Sequence, residues 1–261
     1  MSEKKQIPYH RFAEVYDRME ADLHSMNMFR YTLEIMQKFD IEPDTGLDLC
    51  CGTGTAVKLF HDYGIQMSGL DGSPAMIKIA RDKLKTDQAK LYCQMLPKFE
   101  ILSETKKLSR RLVQFDLITS FYDSLNYLLT KRDLQASFRA VHSHLSPGGW
   151  FVFDMNTPHA LRTIWAEQTY SGALDDIAWV FRGRSYADRQ TADALITFFV
   201  KKGKLWERFD ETHTERGYDN KTIREMLKKA GFQIKGFYNC GTFDCAKVSD
   251  NRICVVAKRS K

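Results

Sequence analysis

Residues Leu47-Asp48-Leu49-Cys50-Cys51-Gly52-Thr53-Gly54-Thr55 run an apolar strand pattern into Gly-x-Gly and then into a helical pattern. This succession restricts the chain more than any other feature. A strand that ends in glycines ahead of a helix leaves backbone amides uncovered, and a ligand can approach there without meeting a Cβ. Glycines also serve ordinary tight turns, so Gly52 and Gly54 alone identify nothing. Two acids narrow the reading. Asp71 closes the next strand in Ser68-Gly69-Leu70-Asp71-Gly72-Ser73-Pro74, 17 residues after Gly54, where a carboxylate can accept both hydroxyls of a ribose. Asp48 lies four residues before Gly52 and suits a ligand carrying a cation better than one carrying pyrophosphate.

The flanking pattern is that of an α/β chain. Two helical stretches come first, Phe12 to about Leu23 and Met28 to about Phe39. Short apolar runs then follow at Leu47–Cys51, Gln66–Leu70, Lys90–Met95, Phe115–Phe121 and Trp150–Met155. Helical candidates at Ala56–His61, Pro74–Leu84 and Arg132–Leu145 lie between them. Such alternation implies right-handed crossovers and a mainly parallel, doubly wound sheet. Ser73 is a good N-cap, and Pro74 suits the first helical position, where its missing amide matters least. Residues 176–217 break the rhythm. Ile177–Tyr186, Leu195–Val200 and Lys204–His213 read as three antiparallel strands, the last two joined by a turn at Lys202-Gly203. A helix over Asn220–Ala230, stopped by Gly231, returns the chain to two closing strands, Phe232–Tyr238 and Arg252–Ala257.

Composition removes several classes of function. With 43% hydrophobic and 28% charged residues, a chain of this length can bury a core without disulfides or metals. The net charge, 39 − 33 = +6, permits a nucleic-acid partner without requiring one. The basic run Lys106-Lys107-Leu108-Ser109-Arg110-Arg111 reads as a solvated helix face rather than an RNA contact. No apolar run approaches the roughly 20 residues needed to cross a bilayer. The start, Met1-Ser2-Glu3-Lys4-Lys5, does not resemble a signal peptide. The six cysteines include no C-x-x-C pair, and Cys240 and Cys245 with His213 lack the second ligand pair of a structural zinc site. The expectation is a cytoplasmic protein with no metal and no membrane partner.

Taken together these residues resemble the class I S-adenosylmethionine-dependent methyltransferases. The likeness rests on Asp48 to Gly54, on Leu70-Asp71-Gly72-Ser73-Pro74-Ala75-Met76, on Phe115-Asp116-Leu117-Ile118 and on Leu145-Ser146-Pro147-Gly148-Gly149. Tyr9-x-x-Phe12-Ala13-x-x-Tyr16-Asp17 is similar to the N-terminal segment of a branch in which a capping helix closes over the cofactor. The resemblance implies a Rossmann-like sheet of seven strands with the last antiparallel, and S-adenosyl-L-methionine as cofactor, released as S-adenosyl-L-homocysteine. It also implies a helical cap over 1–42, a cofactor-binding core over 43–158 and 218–261, and an antiparallel lid over 159–217. Carried over by position, Asp48, Cys50, Gly52 and Gly54 line the methionine part and Asp71 with Gly72 holds the ribose. Met76 and Met95 sit by the adenine, Ser120 closes the fourth strand at the cofactor, and Tyr9 and Tyr16 cover the pocket. The acid that the family often places after the third strand is absent. Cys93-Gln94-Met95 stand there instead, so Gln94 or a backbone contact must replace it.

Methyl transfer is an in-line displacement that needs a base only when the acceptor arrives protonated. The acceptor-side candidates are Asp123, after the fourth strand, and His213 with Arg216 near the end of the inserted sheet. Each has an ordinary alternative. Asp123 can cap a turn, and Glu207, Glu211 and His213 share a strand face that can be a surface charge ladder. The expected activity is transfer to N or O of a small-molecule acceptor, by a monomer or a homodimer. Its rivals are an RNA methyltransferase, an NAD(P)-dependent oxidoreductase and a non-catalytic cofactor-binding protein. Against the nicotinamide enzyme, Val57 occupies the third glycine position.

Overall fold

A computed structural model describes residues 8–19, 23–103, 111–186 and 190–260. The basic residues 106–110 lie outside the described residues, as do 20–22 of the first expected helix. In chain order the elements are α1 (Leu23–Phe39), β1 (Thr45–Leu49), α2 (Thr55–Tyr63), β2 (Gln66–Asp71), α3 (Pro74–Gln88), β3 (Lys90–Cys93) and β4 (Phe115–Ser120). They continue with α4 (Lys131–His144), β5 (Leu145–Asn156), α5 (Pro158–Thr163), β6 (Thr169–Ala173), β7 (Ile177–Tyr186), β8 (Thr191–Lys202) and β9 (Leu205–Arg216). The chain closes with α6 (Asn220–Lys229), β10 (Phe232–Asn239) and β11 (Arg252–Arg259).

Seven strands form one sheet in the order β10-β11-β5-β4-β1-β2-β3, with only β11 running against its neighbours. The chain leaves β1 toward β2 and β3, then returns to β4 on the other side of β1. The carboxyl end of β1 is therefore a topological switch point, where no crossover covers the crevice. Alternation along the central strands divides the core. Phe151, Phe153 and Met155 face Leu134, Phe138 and Leu227, while Trp150 and Val152 face Met28, Ile35 and Phe60. Ser73 caps α3 by accepting from the Met76 amide at 3.3 Å, with Pro74 at its first turn.

The inserted sheet has four strands, β6-β7-β8-β9, all antiparallel, where the sequence suggested three. The missed strand, β6, is a short, mostly exposed edge without apolar alternation, so it carries no periodic signal. Its Gly172 lies against the Trp179 ring, where a Cβ would come within 2.1 Å of the indole. The β8–β9 hairpin turns through Gly203 and Lys204, with Gly203 at φ 65°.

The N-terminal segment differs most from expectation. A helix from Phe12 is replaced by two short 3-10 turns, Phe12–Glu14 and Asp17–Met19, and α1 begins at Leu23. The reason is tertiary. Phe12, Val15 and Met19 pack on the inserted sheet with Ile177, Phe198, Val200 and Phe209, while α1 joins the main core through Met28, Tyr31 and Ile35. Phe198 anchors the first contact, stacked on Phe209 at 4.9 Å and tilted against Phe12 at 4.8 Å. Phe198→Ala should therefore lower stability by about 3–5 kcal/mol in urea denaturation, with faster amide exchange in residues 12–19. A loss below about 1 kcal/mol would contradict this packing.

Candidate active site

At the switch point the backbone turns sharply after β1, with Cys50, Gly52 and Gly54 all at positive φ (57°, 52° and 80°). The two glycines do different work. A Cβ on Gly52 would meet nothing within 4 Å among the described residues, so this face of the loop is open. One on Gly54 would lie 2.9 Å from Leu84 and 3.2 Å from Ala80. Gly54 thus lets α3 approach the loop, and the Gly52 side of the loop is left open.

Asp71 braces the loop from the next strand. Its carboxylate accepts the Gly52 amide at 2.9 Å and the Ser73 amide at 2.7 Å, which leaves acceptor capacity on both oxygens. Burial raises its pKa, and the two amides pull it back. Asp48 is nearly inaccessible and accepts only from the Thr119 hydroxyl, at 2.6 Å. Burial, with a smaller push from Asp71, raises its pKa to about 7. Ser120 is fully buried, and its hydroxyl has no hydrogen-bond partner among the described residues. An open glycine face, two acids and an orphaned hydroxyl thus meet at one crevice. These donors and acceptors fit a nucleoside with a cationic amino-acid tail.

The adenine side is less complete. The Gln94 side chain is occupied by the Glu100 backbone, donating to its carbonyl at 3.0 Å and accepting its amide at 2.9 Å. Any contact at Gln94 must then come from its backbone. Met95 is exposed and overhangs Gly72, whereas Met76 is buried in α3.

The N-terminal segment covers this crevice. The Tyr9 carbonyl accepts the Ser73 hydroxyl at 2.9 Å. Asp17 accepts the Thr53 hydroxyl at 2.6 Å and pairs with Lys83 at 2.8 Å, tying the segment to the glycine loop. Tyr16 stands edge-on to Tyr9, 6.0 Å between ring centres. Burial raises the pKa of both phenols far above the ordinary value, so both remain protonated at neutral pH.

Beyond β4, Tyr122 and Asp123 adopt consecutive left-handed conformations (φ 60° and 50°). Each costs on the order of 1–3 kcal/mol and persists only where the surroundings impose it. Asp123 pairs with Arg252 at 2.6 Å, and Arg252 also binds Asp154, which His24 approaches at 3.3 Å. Glu215 is fully buried, accepts from Asn156 at 2.9 Å and lies beside Asp123. Burial, then the neighbouring Asp123, hold Glu215 well above the usual carboxylate range.

Along β9 the odd-numbered residues Phe209, Glu211, His213 and Glu215 are all buried. The surface-ladder alternative therefore stops at Glu207, which is exposed and pairs with Arg11. His213 Nδ1 lies 2.8 Å from the Tyr127 hydroxyl, which lies 2.9 Å from that of Tyr9. Arg216 is not brought into this group. It lies on the opposite strand face and donates to the Leu129 carbonyl at 2.9 Å. The sequence assigned no role to Asp17, Tyr127, Glu215 or Arg252. Asp17 and Tyr127 stand in the N-terminal motif and in the segment after the fourth strand, Glu215 lies two residues beyond His213 on the same strand face, and Arg252 carried no signal.

Comparison with known proteins places the chain. A family model described as a methyltransferase domain matches residues 23–235. The putative methyltransferase YqeM of Bacillus subtilis (strain 168) is 30% identical over 228 residues, 87% of each chain. An S-adenosylmethionine-dependent methyltransferase from Clostridium acetobutylicum superposes with a TM-score of 0.83 at 27% identity, over 96% of this chain and 98% of that one. A SAM-bound amino pentose methyltransferase from Micromonospora echinaspora shares the fold at a TM-score of 0.73 and 18% identity, over 98% and 99%.

The division of labour between the glycines has a measurable consequence. Gly52→Ala should cost stability only the left-handed backbone term, about 1–2 kcal/mol. Gly54→Ala should lose a further 1–3 kcal/mol, roughly, from crowding against Leu84 and Ala80. Equal losses in chemical denaturation would contradict this assignment.

Proposed function

The chain belongs to the methyltransferase-domain family and is an S-adenosylmethionine-dependent methyltransferase, and from that premise we propose that it methylates a nitrogen of a small-molecule amine. The observation that carries this reading is the buried Asp123 just beyond β4, paired with Arg252, with the buried Glu215 of β9 beside it. Carboxyl oxygens of Asp123 can accept from an ammonium group, and burial of Glu215 beside them, which raises its pKa, leaves that acid open to a cation from outside.

In this reading residues 43–158 and 218–261 hold the cofactor, with the N-terminal segment and the lid of residues 159–217 closing over it. Asp71 receives the ribose hydroxyls, Gly52 gives the open backbone face, and Asp48 with Ser120 meets the amino-acid tail. When bound, the cofactor supplies a methyl group activated by its sulfonium. The chain contributes alignment, an effect worth on the order of 7–11 kcal/mol, and a place for the acceptor's proton. His213 takes that proton through Tyr127, because both phenols in the path stay neutral and can only pass protons along.

Two measurements test these roles. An acid whose pKa is raised to about 7 is mostly protonated at pH 6, and a cation placed beside it drives that proton off. Calorimetry of S-adenosylhomocysteine binding at pH 6, in buffers of different ionisation enthalpy, should show release of close to one proton. The affinity should climb toward pH 7 and then level. Asp48→Asn should abolish both effects, and binding without proton release would remove Asp48 from the site.

Methyl transfer to a panel of small amines and their hydroxyl analogues tests the acceptor. Amines alone should be methylated, with His213→Ala lowering kcat by roughly 10²-fold or more and leaving S-adenosylhomocysteine affinity in place. Turnover of hydroxyl compounds only would overturn the choice of nitrogen.

A further inference from the structure

We propose that Glu211 is a positioning residue that prepares His213 to receive a proton only when the N-terminal segment is seated over the cofactor crevice. The inference rests on the base role given to His213 above. It begins from the burial of Glu211, which is only 2% exposed. Its Oε2 accepts the Tyr9 amide at 2.8 Å, and its Oε1 accepts those of Arg11 at 2.7 Å and Phe12 at 2.8 Å. Three backbone donors converging on one carboxylate form an anion nest, and Tyr9 reaches it by adopting a φ of 61°. Burial alone would raise the Glu211 pKa. The contact with His213 and the amides of Phe12 and Arg11 outweigh it and keep the group ionised.

The same carboxylate sets the imidazole. His213 Nε2 lies 3.3 Å from Glu211 Oε2 as a charge contact and makes no hydrogen bond among the described residues. An anion at that distance favours the proton on Nε2, which leaves Nδ1 bare to accept from the Tyr127 hydroxyl at 2.8 Å. Tyr127 in turn meets the Tyr9 hydroxyl at 2.9 Å, and Tyr9 is carried by the segment that Glu211 anchors. Seating the segment therefore supplies three hydrogen bonds to a buried carboxylate, fixes the tautomer and adds the outer hydroxyl of the chain. The Ser73 and Thr53 contacts of the segment close the cofactor crevice in the same movement.

The proton path balances. A proton leaving the acceptor nitrogen goes to the Tyr9 oxygen as the Tyr9 proton passes to Tyr127 and that of Tyr127 to His213 Nδ1. The product is an imidazolium beside the Glu211 carboxylate, and both phenols are restored. Lifting the segment withdraws the three amides and the Tyr9 hydroxyl, and opens His213 to solvent for release of the proton. An unseated enzyme has neither a closed crevice nor a complete path.

The test uses the full chain and needs no acceptor, so failure to find one would count against the proposed function alone. In the wild-type protein, 15N-histidine NMR should show His213 as the Nε2-protonated tautomer. The amides of Tyr9, Arg11 and Phe12 should exchange with solvent at one shared, slow rate. Glu211→Gln should speed all three about tenfold or more, mix the His213 tautomers, and release S-adenosylhomocysteine faster by a similar factor. Arg11→Pro removes one donor from the nest without touching Glu211 or His213, and should also mix the tautomers. The proposal is overturned if Glu211→Gln leaves the amides protected, or if Arg11→Pro frees the segment while His213 keeps one tautomer. Should Glu211→Gln fail to fold, the wild-type tautomer and the Arg11→Pro pair still decide the matter.

Discussion

The reversal of chain direction at β1 governs the rest of the molecule. Because β2 and β4 flank β1 on opposite sides, their following connections diverge and leave the strand ends uncovered between them. Gly52, Asp71, Ser120 and Asp123 all lie at or just beyond those three strand ends, and Asp48 lies within β1 itself. A parallel sheet buried on both faces has little other place for polar side chains. The segments outside the core are then arranged as covers, the inserted sheet from one side and residues 8–19 between it and the glycine loop.

Buried acids in this crevice differ in charge because they differ in partners. Asp48 has one hydroxyl and is pushed up to about 7. Glu215, buried beside another carboxyl, is held well above the usual range. Glu211 has three amides and an imidazole, and Asp154 has Arg252 and His24, so both are held below the usual range. A buried carboxylate that stays ionised must be matched by donors on the protein. One that is left raised is available to a cation from outside. The ionised acids thus mark internal fastenings, and the raised ones mark where ligands would complete the structure.

Legibility in the sequence followed the range of the interactions. The strand-to-glycine turn, Asp71 after β2 and the Ser73-Pro74 helix start are local signals, and all appear in the structure where the sequence put them. The N-terminal helix gives way to two short turns because Phe12, Val15 and Met19 pack on Ile177, Phe198, Val200 and Phe209 of the inserted sheet, far away in the chain, which no window on the sequence can register. β6 is an edge strand without alternation. Gln94 looked available for a nucleobase until Glu100 closed on it, and Arg216 fell on the wrong face of β9 by a parity that His213 already fixed. The nearness of Asp123 to Glu215 brings the turn after β4 to strand β9 through the fold alone.

The claim on which the whole account stands is that the crevice at the end of β1 binds S-adenosylmethionine through Asp71. Thermal unfolding with S-adenosylhomocysteine, beside NAD and beside Asp71→Ala, tests it most directly. At 100 times its dissociation constant the ligand should add about 2.7 kcal/mol of stability, with little left in the variant and none from NAD. Stabilisation by NAD instead, or an undiminished response from Asp71→Ala, would contradict it.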